Sequence, residues 1–502
     1  MGVEVLLDLA TAMCGDRVAV GSRDGGLTFD ELAAHSDGAA ALIRGTGAHH
    51  VAFVGLNGPA LSVAVFAAAK AGVPITPLNY RLSHEQLEEL LDTLDNPLVI
   101  ADEAFIERVA GPGRSVLPTP EFLAKAQTTP PLGEPAPENE PAVVLFTSGT
   151  TSKPKGVMLR HENLTSYSLQ TVEMASAGED ECALISVPPY HVAGIATVLT
   201  NTYAGRRVVH LPDFDPQMWL ETVRQEGVTS AMVVPTMLAR IVDFVGDGGK
   251  ADVPTLRSLA YGGARLPRPV LERALAAFPD TGFINAYGLT ETSSTIAVLG
   301  PDDHRAAVDT TDEQVRARLG SAGQAVPGVE FAIRGEDGHV LPAGEPGALW
   351  VRGAQVSGEY VGQGSLLDAD GWFHTRDRGW LDDEGYLFIE GRTDDTIIRG
   401  GENVAPAEIE DVLVEHPAVK EAAVVGIPDD EWGERIAAVV VANPGMQADG
   451  DQIREWARGR LRGSKTPDSI TVWPELPYNQ LGKLLRRDVV SALLAGTTPA
   501  PA

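Results

Sequence analysis

Phe146-Thr-Ser-Gly-Thr-Thr-Ser-Lys-Pro-Lys-Gly-Val157 is the stretch on which the reading of this chain turns. Five hydroxyl side chains (Thr147, Ser148, Thr150, Thr151, Ser152) and two lysines (Lys153, Lys155) fall within nine residues, beside Gly149 and Gly156. The apolar run Val143-Val-Leu-Phe146 just before it predicts a buried strand. A strand ending in a glycine loop dense with donors suits a phosphate cradle. Glycine lets backbone N–H groups approach the oxygens, hydroxyls add donors, and lysine adds charge. A polar surface hairpin has a similar composition, because Ser, Thr and Gly are ordinary turn residues. A Walker loop is excluded, since its second glycine would fall where Pro154 stands.

The totals narrow the classes. A chain of 502 residues predicts two to four domains, and 44% hydrophobic with 22% charged residues is a globular composition. No run reaches the ~18 apolar residues of a membrane span. The opening Met-Gly-Val-Glu-Val-Leu-Leu-Asp8 is acidic where an export signal is basic, and Leu6 stands where a myristoylation motif wants Ser or Thr, so a cytoplasmic protein is expected. Cys14 and Cys182 lie far apart without ligand spacing and read as reduced, inert thiols. The net charge of −30 disfavours nucleic acid and anionic membrane as partners. A polyphosphate could be held only where lysine, arginine, backbone N–H groups and metal are concentrated locally.

Strands alternate with helices through the first half. Gly26-Leu-Thr-Phe-Asp-Glu-Leu32 opens a helix capped by Thr28, Val51 to Gly55 is a strand, and Leu61 to Ala71 an apolar helix. Ser83-His-Glu-Gln86 matches a capping box before Leu87, and Leu98 to Ala101 is another strand. This predicts a parallel sheet with helices on both faces. Residues 111–142, rich in Pro, Glu and Thr, read as a surface excursion. After Ser321, short strands separated by Gly, Pro and acidic turns predict an antiparallel β subdomain. From Glu408 the texture is a helix, two strands and a helix, a separate α+β unit. The expected class is therefore α/β: a large N-terminal domain, 1–393, of layered α/β sheets plus a β subdomain, and a small mobile α+β domain, 394–502.

Thr147-Ser-Gly-Thr-Thr-Ser-Lys-Pro-Lys-Gly156 resembles the phosphate loop of the adenylate-forming superfamily, which includes acyl- and aryl-CoA synthetases, luciferase and peptide-synthetase adenylation domains. Ser152 departs from the family's glycine. Five further stretches match in order, so the resemblance spans essentially the whole chain. It implies that Thr147, Ser148, Gly149, Thr150, Thr151 and Lys155 hold phosphates, and that Tyr261-Gly262-Gly263-Ala264 lies against an adenine. Within Ala286-Tyr-Gly-Leu-Thr-Glu291, it implies that Tyr287 stacks on adenine beside Gly288 and that Thr290 contacts phosphates. Glu291 would hold Mg²⁺ with Thr147; one carboxylate suffices because Mg²⁺ takes its other ligands from phosphates and water. In Thr375-Arg-Asp-Arg-Gly379, Asp377 would accept the ribose hydroxyls, with Arg376 where the family has glycine. In Gly391 to Glu410, Arg392 would reach ribose or phosphate, Asp394 would be the hinge, and Gly400-Gly401 would line the thiol's route. Pro477-Tyr-Asn-Gln-Leu-Gly-Lys483 resembles the loop of the catalytic lysine.

Each stretch alone has a plainer structural reading: a strand-end turn, a solvated glutamate, a salt bridge between Asp377 and its flanking arginines, an exposed lysine. Together they imply an ATP-dependent ligase that activates an acid as acyl-AMP and passes it to CoA, releasing AMP and pyrophosphate. ATP, Mg²⁺ and CoA are the implied cofactors. Val187-Pro-Pro-Tyr-His-Val-Ala-Gly-Ile195 resembles the acyl-pocket segment, with His191 as catalytic gate or wall. Val234, Pro235, Thr236, Gly263, Ser293, Ser294 and Ile296 are the other implied wall positions. The set is small and apolar without arginine, which suits a medium-chain fatty acid or an aryl or cyclic acid. Arg462 and Lys465 are candidates for the CoA phosphates. The competing readings are an enzyme that loads a carrier protein's phosphopantetheine, an ADP-forming acid activator, and a non-catalytic nucleotide- or acyl-binding module. A monomer or a dimer fits equally.

Overall fold

The computed structural model describes the chain except residues 133–140, 148–153, 401, 430–431, 480–482 and 499–502. Ser148, Gly149, Thr150, Thr151 and Gly401 therefore lie outside the described residues.

Two mixed sheets form the body. In the nine-stranded sheet, Cys182–Ile185, Arg207–His210, Ser230–Val233, Ser258–Gly262 and Gly282–Leu289 run parallel, and antiparallel Ser294–Leu299 and Gln324–Ala325 complete one edge. In the eight-stranded sheet, His50–Val54, Ile75–Pro77, Pro97–Ala101 and Val143–Thr147 are parallel. Lys155–Leu159 folds back antiparallel on Val143–Thr147 and carries Glu359–Tyr360 on its far side. The expected parallel sheet is thus two sheets with parallel centres and antiparallel margins, except that Ser115–Pro118 edges the eight-stranded sheet in parallel. The helix Pro59–Ala71 has almost every side chain buried between layers, and Pro59 and left-handed Gly72 bound it.

Both predicted caps form. Thr28 and Glu31 close a capping box on Phe29–Thr46, and Ser83 and Gln86 do so on His84–Leu91. The 111–142 excursion is corrected by a strand, Ser115–Pro118, and a helix, Thr119–Thr128. Their prolines sit where proline is tolerated, at the end of an edge strand and in a first helical turn. Phe122 and Ala126 are buried against Phe29–Thr46. Gly38 permits that approach, as a Cβ there would lie 2.0 Å from the carbonyl oxygen of Ala126.

The β subdomain is an antiparallel sheet of Glu330–Arg334, Gly347–Arg352, Phe373–Leu381 and Leu387–Arg392. It has its own core of Ile296, Ile333, Leu349, Val351, Phe373 and Leu387, with Tyr287 packed on it. The boundary expected at 393/394 falls in the 3₁₀ turn Thr393–Asp395. Beyond it, Ile397–Arg399, Glu402–Val404, Val419–Asp429, Gly433–Ala442 and Ser469–Trp473 form a fourth sheet. Pro406–Val414 and Gly450–Arg458 pack on one face, and Arg486–Ala495 on the other.

Candidate active site

The candidate residues collect where parallel strands end, the usual place for ligands in open α/β sheets. His191 follows Cys182–Ile185, Val234 follows Ser230–Val233, and Gly262 closes Ser258–Gly262. Gly262 has no room for a side chain, because a Cβ would sit 2.2 Å from the carbonyl oxygen of Ala286. Gly263 is exposed with φ +87°, a conformation that favours glycine, and Ala264 is half-buried beside it. Gly288 stands at a register shift between Gly282–Leu289 and Ser294–Leu299, so close to the Ser294 carbonyl that only glycine fits.

One polar cluster joins three segments. Asp377 and Arg392 are register partners across the Phe373–Leu381 and Leu387–Arg392 hairpin. Arg392 Nε lies 3.0 Å from Asp377 Oδ1, and its Nη1 donates to the Thr375 carbonyl at 3.1 Å. The Tyr287 hydroxyl donates to Asp377 Oδ2 at 2.5 Å. Thr375 Oγ1 accepts from the Asp377 N–H at 3.1 Å and donates to the Leu349 carbonyl at 2.8 Å. Arg376, between them, takes φ +65°, so the backbone keeps the left-handed turn that glycine would adopt freely. Asp377 is 6% exposed. Burial pushes its carboxyl up against the opposing pull of Arg392 and the Tyr287 hydrogen bond. Burial, then Asp377, pushes the Tyr287 phenol far up, so it stays a donor.

A second cluster lies on the eight-stranded sheet. Thr147 and Lys155 are paired at the mouth of the Val143–Thr147 and Lys155–Leu159 hairpin, with Thr147 Oγ1 donating to the Lys155 carbonyl at 3.4 Å. Lys155 Nζ lies 6.0 Å from the centre of the Tyr360 ring, and the Tyr360 hydroxyl donates to Glu291 Oε1 at 2.7 Å. Thr290 and Glu291 begin the 3₁₀ turn after Gly282–Leu289, which places both clusters along one strand and its turn. Thr147 and Glu291 carry oxygen donors of the kind Mg²⁺ takes. No group of three or more His, Cys, Asp or Glu that could cage a metal occurs among the described residues, so a cation there would have to complete its shell from phosphate.

Lys483 comes to this site from the loop between Ser469–Trp473 and Arg486–Ala495 of the C-terminal unit. Its side chain is open to solvent, yet protein crowds it enough for desolvation to push its ammonium down. The Arg392 cation adds to that shift, and Asp395, Asp377 and Glu291 oppose it. Arg265, two residues beyond Gly263, forms an ion pair with Asp411 on Pro406–Val414 and so ties the two bodies together. Asp394 is exposed in its 3₁₀ turn. Lys465 is engaged with Glu408 at 2.5 Å, and Arg462 is exposed.

His191 stands at the N-cap position of the helix Val192–Tyr203 without a side-chain capping bond, and its ring lies 4.6 Å from that of Tyr190. Burial lowers the His191 pKa to about 3, and its Nε2 has no partner among the described residues. Among the other wall positions, Val234, Ser293 and Ile296 are buried. Ile296 lies in the β-subdomain core, and Ser293 Oγ is buried without a partner among the described residues. The structure adds Tyr360, Thr375, Arg265 and Asp411. Thr375 opens the stretch already singled out around Asp377, whereas Tyr360, Arg265 and Asp411 carry no local sequence signal of their role.

Similarity to known proteins extends over most of the chain. Residues 7–361 match the AMP-binding enzyme family, and 408–483 match the AMP-binding enzyme C-terminal domain. The chain is 35% identical over 485 residues to a feruloyl-CoA synthase of an Amycolatopsis species, covering 94% of this chain and 95% of that one. It is 33% identical to the fatty acid–[acyl-carrier-protein] ligase ScoC of Streptomyces coeruleorubidus, covering 92% and 91%. The o-succinylbenzoate CoA synthetase of Bacillus subtilis, solved with its acyl-adenylate intermediate, superposes with a TM-score of 0.83 at 29% identity, covering 96% and 97%.

Proposed function

This chain belongs to the AMP-binding enzyme family, and we propose that it is an ATP-dependent acid–thiol ligase forming an acyl-CoA through an acyl-AMP. The observation that carries the reading is the convergence of Tyr287, Glu291, Asp377, Arg392 and Lys483, from two sheets and the small C-terminal unit, on one polar site. The acid is already ionised at neutral pH, so no general base is needed. It attacks the α-phosphorus of ATP, and pyrophosphate leaves. A carboxylate is a weak nucleophile, so the step depends on positioning and on relief of phosphate charge.

We assign that relief to Lys155 and Lys483, with the hydroxyl loop from Thr147 onward. Asp377 and Arg392 would hold the ribose, and Tyr287 and Gly262 to Ala264 the adenine. Glu291 and Thr147 would hold Mg²⁺, which neutralises phosphate charge when bound. In the second step the CoA thiol attacks the acyl carbonyl and AMP leaves. We assign 1–393 and 394–502 as the two domains and Asp394 as the hinge that withdraws Lys483 between steps. His191, half-buried and held neutral by desolvation, can wall the acyl site without introducing charge. The acid is one with an apolar body, medium-chain, aryl or cyclic, as the relatives' substrates suggest. We place the enzyme in the cytoplasm, consistent with two free buried cysteines; no helix among the described residues is long and apolar enough to cross a membrane.

A second reading, transfer to a carrier-protein phosphopantetheine, is favoured by the 33% identical carrier-protein ligase. A panel of acids assayed for pyrophosphate and AMP, with CoA, with carrier protein and with neither, tests both. Release of ADP, or no acid-dependent pyrophosphate from any acid, would reject the ligase reading.

A further inference from the structure

The segment 357–361 ties the phosphate hairpin to the turn that carries Glu291. Tyr360 pairs with Val157, and the Val361 N–H donates to the Gly156 carbonyl at 2.9 Å. Glu359 is held by Arg160 at 2.7 and 3.0 Å, and Ser357 Oγ donates to the Met158 carbonyl. The same segment grips Glu291 by its backbone, because the N–H groups of Ser357 and Gly358 both donate to the Glu291 carbonyl, at 2.9 and 3.2 Å. Gly358 makes this possible: its φ is +55°, and a Cβ would lie within 2.9 Å of Phe373 and Leu367 side-chain atoms. One side-chain contact then reaches the carboxylate itself, the Tyr360 hydroxyl at 2.7 Å from Glu291 Oε1.

We propose that Tyr360 is a positioning residue for Glu291: its hydroxyl fixes one carboxylate oxygen and so orients the other toward the cation that accompanies the nucleotide. A carboxylate on a turn has free rotation about its last bonds, and a single-carboxylate site has no second acid to correct its aim. Tyr360 supplies that aim from the strand that also carries the register of Lys155, so glutamate and lysine are set relative to each other through one residue. The inference rests on the ligase reading of Glu291.

The test compares wild type with Tyr360→Phe, Glu291→Gln and the double variant, with Val361→Thr as the strand control. Phenylalanine keeps the ring and its packing and removes only the donor. The readouts are the Mg²⁺ concentration giving half-maximal pyrophosphate release, and equilibrium ATP binding by calorimetry with Mg²⁺ and with EDTA. Tyr360→Phe is expected to raise the Mg²⁺ requirement about tenfold, the worth of one hydrogen bond to a charged group, and to weaken MgATP binding by a similar factor. ATP binding in EDTA should be unchanged, and Tyr360→Phe should add no further loss in the Glu291→Gln background. An unaltered Mg²⁺ dependence in Tyr360→Phe, or equal losses with and without metal, overturns the role of Tyr360 alone. An unaltered Mg²⁺ dependence in Glu291→Gln overturns the reading of Glu291 on which it stands.

Discussion

Removing the Lys483 ammonium should separate the two chemical steps. The side chain is exposed and makes no ion pair among the described residues, so Lys483→Ala should change folding stability by no more than about 0.5 kcal/mol. Its effect on the first step should be far larger. Lys483 shares the site with Asp377, Arg392 and Glu291, and a charged donor aimed at charge developing on phosphate is worth about 10²–10³ in rate. Thioester formation from preformed acyl-AMP needs no charge on that phosphate neutralised by lysine, and should stay within about threefold of wild type.

The assay measures pyrophosphate release from ATP and acid in one arm, and CoA thioester from synthetic acyl-AMP in the other. A pH arm adds direction. Because crowding and Arg392 push the Lys483 ammonium below the usual lysine value, the first step should lose activity on an alkaline limb below the ordinary 10.5. Lys483→Arg, charged throughout, should lack that limb. Equal losses in both arms for Lys483→Ala would refute the assignment of Lys483 to adenylation alone.

Other outcomes follow from single distances and angles. Gly262→Ala drives a Cβ to 2.2 Å from the Ala286 carbonyl and should cost about 1–3 kcal/mol, read as a lower urea midpoint together with a raised KM for ATP. Arg376 holds φ +65°, so Arg376→Gly should be more stable than Arg376→Ala by about 1 kcal/mol; equal midpoints would mean that the turn is not left-handed. His50, His191 and His210 are lowered by burial to about 4, about 3 and about 4. The unfolded chain therefore binds their protons first, and stability should fall as pH drops from about 6.5 toward 4, by at most about 1.4 kcal/mol per pH unit for each histidine. Replacing all three with glutamine should flatten that slope in urea titrations.

Elements whose signal is local were legible in the sequence. The capping boxes at Thr28 and Ser83 each involve residues three apart, and both are made. The strand Ser469–Trp473 carried an alternating β-branched signal, yet it lies beyond the helix and strands that marked the unit. The helix Thr119–Thr128 was hidden by its prolines, since composition does not say whether a proline falls in a first turn or in a loop. What exposes it is Gly38, far away in sequence, whose missing side chain makes room for it.

The candidate site shows a sharper limit. Motif order named Tyr287, Glu291, Asp377 and Arg392, but no motif says which side chains touch. Tyr287 and Asp377 are 90 residues apart and share a hydrogen bond; Glu291 and Tyr360 are 69 apart and share another. The Asp377–Arg392 pairing depends on a register shift between Arg378 and Gly379, without which every residue on one side would face the other way. Charge gives the same lesson. A net −30 disfavours nucleic acid and anionic membrane as partners and leaves open where a polyphosphate could sit. We assign one such place to Lys155, Arg392 and Lys483, which come from two different sheets and from the loop before Arg486–Ala495. Chemistry-bearing residue types are therefore readable along the chain, whereas their protonation states and mutual aim are properties of the pairs that folding creates. Tyr360 is the clearest case: nothing adjacent to it in sequence suggests a role, and only its contact with Glu291 gives it one.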